Sequence, residues 1–173
     1  MEFYEVIKTR RSIRSFKKDV PSQAVIDRIM EAVRISPSGS NRQPWKFILV
    51  TDPGLRDEVA AACGNQKFVG EAPIVVVACG HDIKYNRGGY MGDMSFILDV
   101  SIAFTHLMLA ARAEGLGTCW IGSFDNGKVK GLLEVPEGWD VVAVTPLGYP
   151  EGDGFEETER RKPLAEIVSR DRF

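Results

Sequence analysis

The chain has 173 residues, a formal net charge of −2, 27% charged and 44% hydrophobic residues, which fits one domain with a sizeable core. The near-balanced charge argues against a dedicated nucleic-acid binder, and MEFYEVIKTRRS at the start lacks an apolar signal-peptide core, so the expected location is cytoplasmic. Three scattered cysteines (Cys63, Cys79, Cys119) read as buried small hydrophobes, and His81 and His106 stand at no metal-ligand spacing, which argues against a disulfide set and against metal catalysis.

Residues 2–10 place Phe3, Val6, Ile7 and Arg10 on one face of a short amphipathic helix. Arg10-Arg11-Ser12-Ile13-Arg14-Ser15-Phe16 follows. If it is extended, Arg10, Ser12 and Arg14 point to one side. Two guanidinium groups and a hydroxyl on one face suit a phosphate; a solvated basic patch is the other reading. Ser22 is the expected N-cap of a second helix that buries Val25, Ile26, Ile29, Met30, Val33 and Ile35 and ends before Pro37. Pro37-Ser38-Gly39-Ser40-Asn41-Arg42-Gln43-Pro44 is a rigid polar loop. Its amides suit a planar heterocycle with alternating donors and acceptors, or else the loop is an ordinary helix-to-strand turn.

Trp45–Thr51 reads as a strand, Asp52-Pro53-Gly54 as a turn and Leu55–Cys63 as a helix. Pro73–Cys79 is apolar throughout, hence a central strand. Residues 80–92 form a Gly-rich loop, either a flap over a site or a connector. Thr118–Phe124 is apolar and then punctuated by Gly122. Asp125 or Asn126 caps a short helix carrying Val129, Leu132 and Leu133. Val141–Leu147 is another strand, and Leu164–Val168 a last short element. Strands and helices do not alternate as in a doubly wound fold. The expected class is therefore α+β, a mainly antiparallel sheet of about four strands flanked by helices. Neither a GxGxxG after a strand nor a P-loop is present.

The longest element expected is a helix over 93–117, with Asp93 as N-cap and Gly115 or Gly117 as C-cap. Its apolar residues cover most of the helical wheel, so it needs cover nearly all round. Asp99, His106 and Arg112 interrupt it and argue against a membrane span. The second face is expected to meet the same helix of a two-fold-related copy; a helix wrapped entirely by its own chain is the alternative.

RRSIRSF at 10–16, PSGSNRQPWKFI at 37–48 and GLGTCWIGSF at 115–124, in this order, resemble the nitroreductase family of FMN-dependent oxidoreductases. RKPL at 161–164 and APIVVV at 72–77 extend the resemblance over essentially the whole chain. It implies a nitroreductase-like α/β sandwich, one FMN-binding domain over 1–173, the long helix at the interface of a homodimer, and two FMN molecules at that interface. Electrons would pass from NADH or NADPH to a nitroaromatic, quinone or flavin by a ping-pong route. Carried over by motif, Arg10, Arg11, Ser12 and Arg14 belong to the first FMN segment. Arg10 and Ser12 would hold the phosphate and ribityl end, with Arg161 or Lys162 assisting, and Arg14 would lie nearer flavin N1 and the C2 carbonyl. Pro37, Ser38, Ser40 and Asn41 would come from the other subunit, with Gln43 close by. Gly122 and Ser123 would present backbone N–H groups near N5, and one of Asn65, Gln66 and Lys67 would contact the pyrimidine edge. His106 stands where the family often has an amide residue and is expected to be a buried interface residue. Because the chemistry belongs to the flavin, no side chain is needed as a catalytic base; Arg14, Gly122 and Ser123 tune the ring. Reductive dehalogenation, oxygen-dependent flavin chemistry and flavin binding without turnover are the alternatives on the same fold.

Overall fold

The sequence IVVVAC at 74–79 is apolar at every position, so a strand there needs cover on both faces. In the computed structural model, which describes residues 1–83, 92, 94–152, 154–156 and 160–173, this stretch lies in β2 (Ile74–His81). It is an inner strand of a four-stranded antiparallel sheet with β1 (Trp45–Val50), β3 (Gly117–Thr118) and β4 (Trp139–Gly148), in the order β1-β2-β4-β3. Successive side chains of β2 enter different cores, as the two-residue strand period requires. Ile74, Val76 and Ala78 pack with α2 (Gln23–Arg34) and α5 (Ser95–Ala113). Val75, Val77 and Cys79 pack on the opposite face with α3 (Pro53–Ala62), α4 (Phe68–Glu71) and α6 (Asn126–Leu132). The helix α1 (Phe3–Thr9) completes the first helical layer beside α5. The result is the expected α+β sandwich.

Helix ends follow their local chemistry. Asp52 accepts the Leu55 N–H at 2.8 Å, and Asp125 accepts that of Lys128 at 3.0 Å. The Asp52-Pro53-Gly54 segment expected as a turn is thus the start of α3, because Pro at the first helical position has no N–H to lose. Ser22 holds the cap position of α2 but makes no side-chain capping bond. Gly115 ends α5 at φ +78°, and the Leu116 N–H reaches back to the Ala111 carbonyl at 2.8 Å, a left-handed stop that favours glycine. The α4 turn was not expected; four residues are too few to show a period. Residues 164–166 form only a 3-10 turn. The expected cap Asp93 and positions 84–91 of the 80–92 loop lie outside the described residues.

The α5 helix approaches the sheet closely at Gly80, where a Cβ would stand 2.7 Å from both Phe96 and Val100. Val100, Ala103, Phe104, Leu107 and Ala111 are buried. On the outward face Leu98 and Ile102, one turn apart, remain 39% and 38% exposed. By length and composition α5 could cross a membrane, yet half of its most apolar window is buried inside the protein. Val6 is the buried residue of α1, while Phe3, Tyr4 and Ile7 are exposed, as is Ile35 beyond α2. An apolar face built from α1 and α5 is therefore left open by the described residues.

Candidate functional site

The segment after α1 is extended and fastened to the β3 edge. Ser12 bridges Thr118 in parallel, and the Ile13 N–H donates to the Thr118 carbonyl at 2.9 Å. Ile13 is buried, so Ser12 and Arg14 on either side of it project outward and are exposed. Gly117 permits this contact: a Cβ there would meet Ile13 carbons at 2.6–2.9 Å. Arg10 is half-buried. Burial first, then the charges of Arg11 and Arg161, hold its guanidinium below the ordinary arginine pKa, with Cys119 opposing. The fold thus gathers positive charge from both ends of the sequence at one strand edge. Arg11 is turned the other way, donating to the carbonyls of Lys8 and Arg10 at 2.8 and 2.7 Å. Its Nη2 is buried without a hydrogen bond among the described residues. Lys162 is exposed and lies 4.0 Å from Glu166.

The 37–43 loop is organised differently. Its 3-10 turn, Gly39–Asn41, is followed closely by the start of β1. Ser40, Asn41 and Gln43 have φ of 48°, 55° and 52°, which L-residues adopt at a cost. The loop offsets that cost with its own side chains. The Ser38 hydroxyl accepts the Gln43 N–H at 2.9 Å, and the Gln43 amide donates to the Asn41 carbonyl and side chain at 3.0 and 3.1 Å. From below, the fully buried Asp99 of α5 accepts the Gly39 N–H at 3.0 Å. Pro37, Ser40, Asn41 and Gln43 remain exposed.

After β3 the chain runs on beside β4. Ile121 and Val144 exchange backbone bonds at 2.8 and 3.1 Å. The Gly122 and Ser123 amides that follow are exposed and have no hydrogen-bond partner among the described residues. Gly122 borders a cleft of about 430 Å³ with Phe96, Ile97 and Phe124. Asn65 and Lys67 line a separate cleft of about 350 Å³ with Asp57 and Glu71, while Gln66 is tied to the Cys63 carbonyl at 2.8 Å. His106 is half-buried on α5, its Nδ1 3.3 Å from the Ala32 carbonyl.

Within one chain the two principal groups stand at opposite edges of the sheet. Ser12 borders β3, whereas the 37–43 loop leads into β1. Three strand spacings separate these edges, roughly 14 Å. One chain therefore brings together Arg10, Ser12 and Arg161 but keeps Ser40 and Asn41 apart from them. Sequence reasoning took Asp99 and Arg112 only as breaks in an apolar helix. Both are buried and bonded to the segments flanking these groups, Asp99 to Gly39 and Arg112 to Thr9. The available signal was their place on the same stripe as Val100, Ala103, Phe104 and Ala111.

An antiparallel sheet between helical layers, with a cationic segment on one edge and an apolar helix face left open, defines the class. The nitroreductase family model matches residues 7–88 and 57–149, and the chain belongs to that family. A putative NADH dehydrogenase/NAD(P)H nitroreductase of Archaeoglobus fulgidus is 34% identical over 168 residues, 94% of each chain. The 5,6-dimethylbenzimidazole synthase of Rhodobacter capsulatus is 34% identical over 171 residues, 85% of this chain and 83% of that one. Among solved structures, the NADPH:FMN oxidoreductase of Vibrio harveyi in complex with NAD+ superimposes with a TM-score of 0.88 at 27% identity, covering 99% of this chain and 77% of that one.

Proposed function

We propose that the protein is an NAD(P)H-dependent FMN oxidoreductase whose sites are shared between two copies of the chain. The observation that carries this reading is the convergence of Arg10 and Arg161 beside Ser12 on the β3 edge, along the chain from the Gly122 and Ser123 amides, which have no partner among the described residues. This donor set fits FMN: guanidinium groups and a hydroxyl suit a phosphate, and free main-chain N–H groups suit the acceptor edge of a ring. Arg10, Ser12 and Arg161 would hold the phosphate end, with Lys162 in support. Arg14, exposed on the same segment, would supply positive charge towards the ring, and Lys67 with Asn65 a further polar edge. Pro37, Ser38, Ser40, Asn41 and Gln43 would reach in from the second copy, because in their own chain they stand at the far edge of the sheet. The open face of α1 and α5 gives that copy an apolar seat.

Bound there, FMN supplies two-electron transfer between a nicotinamide dinucleotide and a small acceptor such as a nitroaromatic, a quinone or free flavin, donor and acceptor taking turns. The chain's part is to bind, orient and place charge; no side chain here is required to move a proton. Purified protein should release FMN on heating or acidification, and its yellow colour should bleach anaerobically with NADH or NADPH. Release of FAD, or no flavin uptake on reconstitution, contradicts the reading. The similarity to the 5,6-dimethylbenzimidazole synthase favours a second reading, a flavin-linked synthase. Formation of 5,6-dimethylbenzimidazole by the loaded protein, with no turnover of nitroaromatics or quinones, would select it.

A further inference from the structure

Burial first, then the charges of Arg11 and Arg161, lower the Arg10 pKa, and like charges are kept near one another where the backbone is held. The chain reaches this corner twice, once as it leaves α1 at Thr9 and once through residues 154–156. Both passages touch one side chain from α5. Arg112 is 7% exposed, its Nε donates to the Thr9 hydroxyl at 2.9 Å, and its Cζ lies 4.0 Å from the centre of the Phe155 ring. The Thr9 hydroxyl in turn donates to the Glu5 carbonyl at 2.6 Å, so the contact fixes the last turn of α1 immediately before Arg10. Phe155 packs on the cluster of Ile13, Phe16 and Ala72, and a Cβ on the adjacent Gly154 would stand 2.6 Å from Ile13. A buried cation loses its hydration, and burial holds the Arg112 guanidinium below its ordinary pKa; the hydroxyl and the ring face repay part of that cost.

We infer that Arg112 is a positioning residue that ties together the two segments meeting at the phosphate corner, and thereby sets preference for a phosphorylated flavin over an unphosphorylated one. The inference rests on the FMN reading above. Arg112 does not itself touch the ligand; it acts through Thr9 on Arg10 and through Phe155 on the segment that leads to Arg161.

The test compares FMN with riboflavin. Dissociation constants for both are measured by flavin fluorescence on the full dimeric protein and on Arg112→Met, Thr9→Val and Phe155→Leu. The last two are mild changes that keep the test usable if Arg112→Met folds poorly. Each variant is expected to weaken FMN binding about tenfold while riboflavin binding stays as in the parent protein. A purely structural role would weaken both ligands together and leave their ratio fixed. Hydrogen exchange on flavin-free protein gives a readout that does not need FMN: peptides covering residues 10–14 and 154–156 should lose protection together in all three variants. If the parent protein takes up no flavin but the two peptides still respond together, the FMN reading fails and the clamp stands. If folded variants keep both the parental FMN-to-riboflavin ratio and the parental exchange, the clamp is overturned.

Discussion

The two groups of polar residues that sequence motifs single out are built in opposite ways. The 10–16 segment takes its shape from the body of the protein: it pairs with β3, buries Ile13 and Phe16, and bridges again at Pro150. The 37–43 loop takes its shape mainly from itself, through the bonds of Ser38 and Gln43, three positive φ angles and one buried anchor at Asp99. The first is a surface feature of a packed sheet edge. The second is a preformed projection that leaves Pro37, Ser40, Asn41 and Gln43 exposed. That difference is what a site shared between two copies requires: one half fixed in place, the other presented outward.

The largest expected effect comes from removing the second copy. Leu98→Glu with Ile102→Glu puts two charges on the open face of α5, where the single chain leaves these side chains more than a third exposed and so tolerates them. In a dimer they would be buried without partners, so sedimentation should show monomer and flavin content should fall at least about tenfold. Retained dimer and flavin would show that α5 does not face a partner.

Gly117→Val attacks the fixed half. Its Cβ would overlap Ile13, and overpacking of this kind costs about 1–3 kcal/mol, seen as a lowered urea midpoint together with loss of flavin. Asp99→Ala attacks the presented half. It leaves the Gly39 N–H without its acceptor, costing about 1–3 kcal/mol, and proteolysis within 37–43 should accelerate; Asp99→Asn keeps an acceptor and should recover most of the loss.

What sequence could reveal follows the range of the forces involved. Continuous apolar composition marked β2 as an inner strand, and α5 as a helix needing cover on more than one side. Short-range capping chemistry narrowed two helix ends to Asp125 or Asn126 and to Gly115 or Gly117, of which the fold uses Asp125 and Gly115. Asp52 was visible as a turn residue, but its role as a cap depends on Pro53 opening the helix, and a DPG triplet reads equally well as either. Buried ion contacts were out of reach: the partners of Asp99 and Arg112 are 60 and 103 positions away, and only the packed fold brings them together. The motifs located both halves of the candidate site, whereas their place at opposite edges of one sheet follows from strand order, which no local pattern encodes.

The central claim is tested most directly by mixing two inactive proteins. One carries Arg10→Ala with Arg14→Glu, the other Ser40→Ala with Asn41→Ala, and each alone should bind little FMN. Subunits are exchanged, and mixed dimers are confirmed by native mass spectrometry. If each site takes its arginines from one chain and its loop from the other, one site of the mixed dimer collects both defects and the other is intact. FMN binding and NAD(P)H oxidation should then return to about one working site per mixed dimer. If every site were built within a single chain, both sites of the mixed dimer would carry a defect, and confirmed exchange without recovered binding would contradict the shared site.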